Sequence, residues 1–485
     1  MAGRLLVASN RGPVSHEIDE HDALVAKRGA GGLVTALTPA VNDTGGEWVA
    51  AAMTEGDRRV AVEAPGGRVE LSLDGETYRL RLLAFSPQRY DHFYNTISNR
   101  LLWFLHHYLW DLPRSPGLDA STPAAWRAYR EVNRAFARAL AEDAGRSAAV
   151  LVQDYHLSLV PAELRALNPG ARIGYFHHIP FAGPDYLRLL PHPMPAQLLS
   201  GLLGADVVGF QTQRWTESFL ASCALLPEAE VGDRAIRYRG REVRVGVYPI
   251  GIDAPSLRQG AARPEARRAR RDLERWRGDR RLVLRVDRAE LSKNILRGFL
   301  AFGDLLRRHP EWRRRVLFRA LLHPSRRSIA EYRAYTEECL AVAERINAEF
   351  REPGWKPIEV QVQDDFDQVL AAYSLYDVLV VNTLYDGMNL VAKEGPLLNR
   401  ADGVVILSRN AGAFGEMGEH SVPVDPIDVA GTAEAMHRAL SMDPEERSAR
   451  ARALRRLAAA RTPARWAEEQ LRDLEPGPRG QTRED

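Results

Sequence analysis

At 485 residues the chain exceeds what one hydrophobic core usually spans, so two domains of comparable size are expected. Its 45% hydrophobic and 27% charged residues suit a globular protein with a full core in each half. Lys plus Arg number 66 against 64 Asp plus Glu, and a balance of +2 excludes general attraction to nucleic acid or an anionic membrane, so anion binding must be local.

The first apolar run, residues 5–8, is too short for a signal-peptide core or a membrane span, and a cytoplasmic protein is expected. Cys223 and Cys339 lie far apart without metal-ligand spacing and read as buried thiols in a reducing compartment. Apolar or β-branched runs at 5–9, 149–152, 173–176, 207–210, 282–286, 316–321, 378–382 and 404–408 predict buried parallel strands. Between two of them Trp126, Tyr129, Val132, Phe136 and Leu140 recur at helical spacing, and the alternation predicts an α/β fold of doubly wound layers. The strand series pauses over 245–281, which places a boundary near Pro249 and domains at 1–248 and 249–460. The Arg-rich stretch 263–281 interleaves Glu, Asp and Ala, the pattern of a solvated helix face. The tail 476–485 has no apolar residue to bury and is expected to be disordered.

After the first strand, Asn10-Arg11-Gly12 precedes Lys27-Arg28-Gly29-Ala30-Gly31-Gly32-Leu33, a glycine-rich loop that opens a helix. Such a loop can cradle a phosphate, and simple turn chemistry explains its glycines equally well. Gln153-Asp154-Tyr155-His156 and His177-His178-Ile179-Pro180 end two strands, where open sheets bind ligands, although His156 and His177 also suit structural roles. No Asp or Glu joins these histidines into a metal-ligand set, so no metal is expected. Arg288 follows a strand and Lys293 comes five residues on, two cations that can neutralise a diphosphate leaving group or form a surface ion pair. The strongest stretch is Asp386-Gly387-Met388-Asn389-Leu390-Val391-Ala392-Lys393-Glu394. There Asp386 can accept sugar hydroxyls or cap the helix, the helix-start amides of Asn389, Leu390 and Val391 can hold a phosphate, and Glu394 can take ribose hydroxyls.

Taken in order with Tyr94-Asn95, Leu102-Trp103, Gly209-Phe210-Gln211-Thr212, Tyr248-Pro249-Ile250-Gly251-Ile252 and Ala411-Gly412-Ala413, these motifs resemble the trehalose-6-phosphate synthase family from about Arg4 to Trp466. The resemblance implies GT-B architecture, two Rossmann-like domains facing each other across a cleft. It further implies transfer of glucose, with retention, from a nucleoside-diphosphate glucose to glucose 6-phosphate. By the same resemblance Arg11, Tyr94, Trp103, Asp154 and Arg326 surround the acceptor, with Arg11 and Arg326 on its phosphate and Trp103 offering a ring face. The donor falls to Gly31, Gly32, His178, Arg288, Lys293, the stretch from Asp386 through Val391, and Glu394, with the base near Phe366. Catalysis is assigned to Arg288, Lys293, Asp386 and His178, with the donor's own phosphate as base. A final helix near 461–475 is expected to cross back to the first domain, as in relatives.

Two departures stand out. The family's usual Arg-Leu-Asp-Tyr-Ser-Lys-Gly reads Arg288-Ala289-Glu290-Leu291-Ser292-Lys293-Asn294, and its second Trp after Trp48 is replaced near Ala51. The Glu-Leu-Ser-Lys-Asn stretch resembles that of GDP-glucose users, so GDP-glucose is expected ahead of UDP-glucose. A pseudo-glycosyltransferase coupling cyclitol units is the nearest alternative, and a non-catalytic sugar-nucleotide sensor is the second. The expected partners are small-molecule substrates, with no cofactor, nucleic acid or membrane, and the sequence leaves a homo-oligomer open. Phosphate removal from the product is expected of another protein.

Overall fold

Strands covered on both faces have no place for polar side chains, which is why continuous apolar runs make the central strands here. The computed structural model describes residues 4–29, 32–145 and 148–475. Gly31 and the tail 476–485, both singled out above, lie outside the described residues. The chain forms two compact units, Met1–Ile250 with Pro463–Asp485, and Gly251–Thr462.

The first unit contains β1 (Leu5–Ser9), β2 (Val14–Ile18), β3 (Leu24–Arg28), β4 (Glu47–Ala51), β5 (Arg68–Leu73), β6 (Glu76–Leu83), β7 (Ala149–Gln153), β8 (Arg172–His177), β9 (Val207–Phe210), β10 (Ala229–Val231), β11 (Ala235–Tyr238) and β12 (Arg241–Val247). Its large sheet runs β10-β11-β12-β9-β8-β7-β1-β4-β6-β5, parallel from β12 to β6 with antiparallel edges, while β2 and β3 form a separate hairpin. The strand order reverses between β1 and β7, the point where such sheets bind ligands beyond their carboxyl ends. Helix Thr122–Ala144 turns Trp126, Tyr129, Val132, Phe136 and Leu140 inward, each buried. Helix Pro463–Asp473 belongs to this unit, with Trp466 edge-on to Phe176 at 4.9 Å, and Gly174 leaves room for Leu474, since a Cβ there would come within 3.0 Å of it.

The second unit contains β13 (Arg281–Arg288), β14 (Val316–His323), β15 (Ile358–Val362), β16 (Val378–Val381), β17 (Val404–Ser408) and β18 (Val422–Val424), ordered β15-β14-β13-β16-β17-β18 with every pair parallel. That is the Rossmann order, with its switch point between β13 and β16. Helix Ile295–Arg308 packs Phe299 and Phe302 edge-on against Phe318 of β14, at 5.4 and 5.1 Å. Helix Pro264–Arg277 buries only Ala266 and Leu273, leaving Arg267, Arg268, Arg271 and Arg275 exposed, while Arg277 turns in to donate to the Leu375 carbonyl at 2.9 Å. No described helix is long and apolar enough to cross a membrane.

Candidate active site

In the second unit the loops after β13 and β16 meet at the switch point. Arg288 closes β13 with its side chain half exposed, and the turn Leu291–Lys293 follows. Lys293 Nζ donates to Asp386 Oδ2 at 2.5 Å, and Asn389 Nδ2 donates to the same oxygen at 3.0 Å. Asn389 sits at φ 76°, outside the helix, which runs Val391–Leu398. The expectation of a helix-start amide at Asn389 is therefore corrected: Asn389 instead accepts the Ala392 amide on Oδ1 at 3.2 Å, and the helical turn starts with Val391. Glu394 lies in that first turn, where its carboxylate accepts from Tyr373 Oη at 3.2 Å, and burial raises its pKa above the ordinary value. Lys393 points the other way, buried and paired with Glu416 at 3.0 Å, and fixes the helix to its neighbour Phe414–Met417. The loop 410–413 crosses so close that a Cβ on Gly412 would fall 1.9 Å from the Gly387 carbonyl oxygen, and the Ala413 amide donates to Met388 O at 2.7 Å. Only glycine permits that approach.

Beneath this surface lies a network that sequence reading missed. Arg285, fully buried, donates through Nε to Asp287 at 2.8 Å and through Nη2 to the Lys293 carbonyl at 2.8 Å and to Asn382 Oδ1 at 2.5 Å. Asn294, at φ 57°, donates through Nδ2 to the Asn382 and Pro426 carbonyls at 2.9 and 2.6 Å. These bonds fix the backbone that carries Lys293. The signal was present: an arginine inside an apolar strand must be buried and paired. Glu290, 1% exposed, meets Arg288 at 3.3 Å and Arg326 at 3.1 Å. Phe366 opens helix Phe366–Tyr373, 52% exposed, beside Asp365, whose side chain accepts the Gln368 amide at 3.0 Å, and Asp364, which pairs with His323 at 3.2 Å.

In the first unit the corresponding loops follow β1, β7 and β8. Arg11 is exposed after β1, and Gly32 opens helix Gly32–Asp43. Asp154, at φ 71°, accepts the His178 amide at 3.2 Å. His178 Nε2 bonds Gln153 Oε1 at 2.9 Å, and burial drops its pKa to about 3, so the ring is neutral. Tyr94 sits in a π-helix, His92–Leu102, a wide turn frequent at functional sites, and stacks on His156 at 5.8 Å. Trp103 departs from expectation: it opens the helical turn Trp103–His106, is 1% exposed and has His107 packed at 4.2 Å, so it presents no open face for a sugar ring here. His177 is fully buried between Tyr175 Oη at 3.1 Å and the Pro180 carbonyl at 3.2 Å and is structural. Asp154, Asn294, Arg326 and Asn389 all hold positive φ without being glycine, and such strained residues gather at functional loops.

Residues 3–476 match Glycosyltransferase family 20. The alpha,alpha-trehalose-phosphate synthase [UDP-forming] 2 of Aspergillus fumigatus is 33% identical over 97% of this chain and 97% of its own. A crystal structure of a UDP-forming alpha,alpha-trehalose-phosphate synthase from Burkholderia xenovorans in complex with glucose-6-phosphate superposes with a TM-score of 0.82 at 30% identity, over 97% of this chain and 100% of that one. An E. coli structure described as bound with UDP-2-fluoro glucose reaches 0.84 at 29% identity, over 97% and 98%.

Proposed function

We propose, because the chain belongs to glycosyltransferase family 20, the trehalose-6-phosphate synthase family of GT-B hexosyltransferases, that it transfers glucose from a nucleoside-diphosphate glucose to glucose 6-phosphate and forms trehalose 6-phosphate. The observation that carries the reading is the Lys293–Asp386 pair at 2.5 Å beside Arg288, on the loops at the switch point of the second unit. Arg288 and Lys293 stabilise the departing diphosphate, Asp386 and the amides of Leu390 and Val391 hold sugar and phosphate, and Glu394 takes the ribose. Arg11, Tyr94, Trp103, Asp154 and Arg326 take the acceptor, which requires Trp103 to open.

Retention follows a front-face course. The bond from the anomeric carbon to the diphosphate oxygen breaks, the acceptor's anomeric hydroxyl oxygen bonds to the same face, and its proton passes to the departing phosphate. What supports this course is that Asp386 is held by Lys293 and Asn389 and Glu394 by Tyr373, positions for binding rather than nucleophilic attack. Neutral His178 is suited to hydrogen-bond a sugar hydroxyl without adding charge. The two cations supply the leaving-group charge, so the reaction needs no metal, and the separate buried thiols Cys223 and Cys339 suit work in the cytoplasm.

For the base, GDP-glucose stands ahead of UDP-glucose. Guanine presents adjacent N–H donors that a carboxylate can accept, and Asp364 and the exposed Phe366 ring offer an acceptor beside a stacking surface. The test is product formation from glucose 6-phosphate with GDP-, UDP- and ADP-glucose in parallel, in the presence of a chelator, with the linkage read by NMR. An α,α-linked phosphorylated disaccharide, fastest with GDP-glucose, is expected. Folded protein that gives no product with any donor would instead favour cyclitol coupling or a silent sensor.

A further inference from the structure

We propose that Glu290 is a positioning residue that couples the two phosphate subsites, holding Arg288 and Arg326 through one carboxylate oxygen so that filling one subsite changes affinity at the other. This rests on the reading above for placing the leaving diphosphate on Arg288 and the acceptor's phosphate on Arg326.

Glu290 is 1% exposed. Its Oε1 accepts from Ser325 Oγ at 2.8 Å and from Arg326 Nη1 at 3.1 Å, and it lies 3.3 Å from Arg288 Nη1. Its Oε2 is buried with no hydrogen-bond partner among the described residues. Burial alone would raise the carboxyl pKa, but Arg288, Arg326 and Lys293 hold it down at about 2, so the group stays ionised. Two hydrogen-bond donors and the Arg288 guanidinium thus crowd one oxygen while the other stays unmet, an arrangement that costs free energy until one guanidinium can turn to span both.

A diphosphate supplies that release. Drawn onto the ligand, Arg288 gives up its share of Oε1, and Arg326 can then span the carboxylate as a fork. Arg326 is already constrained, at φ 40° and with Nη1 also donating to Tyr332 Oη at 2.9 Å, so the fork sets the plane of a held guanidinium toward the second phosphate. Donor occupancy therefore tightens the acceptor subsite. Thermodynamic reciprocity requires the acceptor to tighten the donor subsite by the same factor. Glu290 stands where the family usually has Asp, and its extra methylene lengthens the reach toward the loop after β14 that carries Ser325 and Arg326.

Titration calorimetry of the full chain tests this with GDP and UDP, each alone and with saturating glucose 6-phosphate. In the wild type, glucose 6-phosphate should lower the nucleotide Kd about fivefold. In Glu290→Gln that ratio should fall to near one while each ligand still binds, and in turnover the KM of each substrate should stop depending on the other while kcat moves less. A merely structural ion triad would lower Tm and leave the coupling intact. Coupling retained in Glu290→Gln, or a ratio of one in the wild type, overturns the proposal. If Glu290→Gln does not fold, Glu290→Asp decides in the same way, since its shorter arm withdraws from Arg326 but keeps the charge. Wild-type protein that binds neither ligand would sink the functional reading and this inference with it, an outcome distinct from independent binding of both.

Discussion

The two units solve opposite problems at the carboxyl ends of their sheets. In the second, charge is kept: Arg285 with Asp287, Lys293 with Asp386 and Glu290 with Arg326 are enclosed ions with partners, and the half-exposed Arg288 also meets Glu290. In the first, the strand-end histidines and their neighbour carry no charge: His106, His177 and His178 are pushed down by burial, His106 and His178 to about 3, and aromatic rings pack around them. A buried ion survives where its counter-ion is built in, and a buried imidazole without one stays neutral. The contrast fits a division in which the second unit faces a diphosphate and the first a sugar.

The most forceful way to break the comparison is Lys293→Ala. It removes the ammonium that meets developing charge and leaves Asp386 without its closest partner. Loss of one preorganised electrostatic group costs roughly 10²–10³ in turnover, so kcat/KM should fall by that order in steady-state assays. Unchanged turnover would mean that the charge of the second unit serves folding and not chemistry.

Acid sharpens the same contrast through stability. The three imidazoles have folded pKa values below the unfolded value, so the unfolded chain binds more protons as pH falls, and their contribution, complete above about pH 6.5, drains away below it, toward about pH 3 for His106 and His178. Glu290, lowered from 4.5 to about 2, loses its contribution only between those values. Asp287 and Glu394 have raised pKa values from burial, so protonation favours their folded state and acid relieves them. Hydrogen exchange read by mass spectrometry at pH 7.5 and 5 should therefore show the β7–β9 region of the first unit loosening while the sheet of the second keeps its protection. Equal loosening of both units would refute the assignment of neutral imidazoles to the first.

These differences also decide what the sequence could tell. The continuous apolar runs at β1, β7, β8, β9, β13, β14, β16 and β17 were readable because strands buried on both faces need nothing but apolar side chains. β4 escaped because it begins with Glu47, a buried carboxylate near Arg4 and Arg68. β5 and β6 pair antiparallel at the sheet edge with polar and apolar positions mixed, a weaker pattern. The loop 386–394 was legible since its chemistry is contiguous. Glu290 read only as a departure, since its meaning depends on Ser325 and Arg326, more than thirty residues away and beside it only once β13 and β14 pair. Trp103 was given an open ring face by the resemblance alone, and its burial against His107 shows only in the folded chain.

The gentlest probe is Phe366→Ala, and it tests whether recognition can be separated from the buried charge around it. The ring is 52% exposed at the first position of its helix, and the Asp365 side chain holds the Gln368 amide whether or not the ring is present. Removing it should leave Tm unchanged. If the ring stacks on the nucleotide base, about 0.5–1.5 kcal/mol of aromatic contact is lost, which raises the donor KM about two- to tenfold. The KM for glucose 6-phosphate and kcat should hold, because neither depends on the base. Asp364→Asn then splits the donors: a carboxylate that accepts from guanine weakens GDP-glucose on neutralisation and leaves UDP-glucose almost untouched. A donor KM indifferent to both substitutions would move the base away from the start of this helix, while the Lys293 and Asp386 chemistry, which depends on neither side chain, would stand.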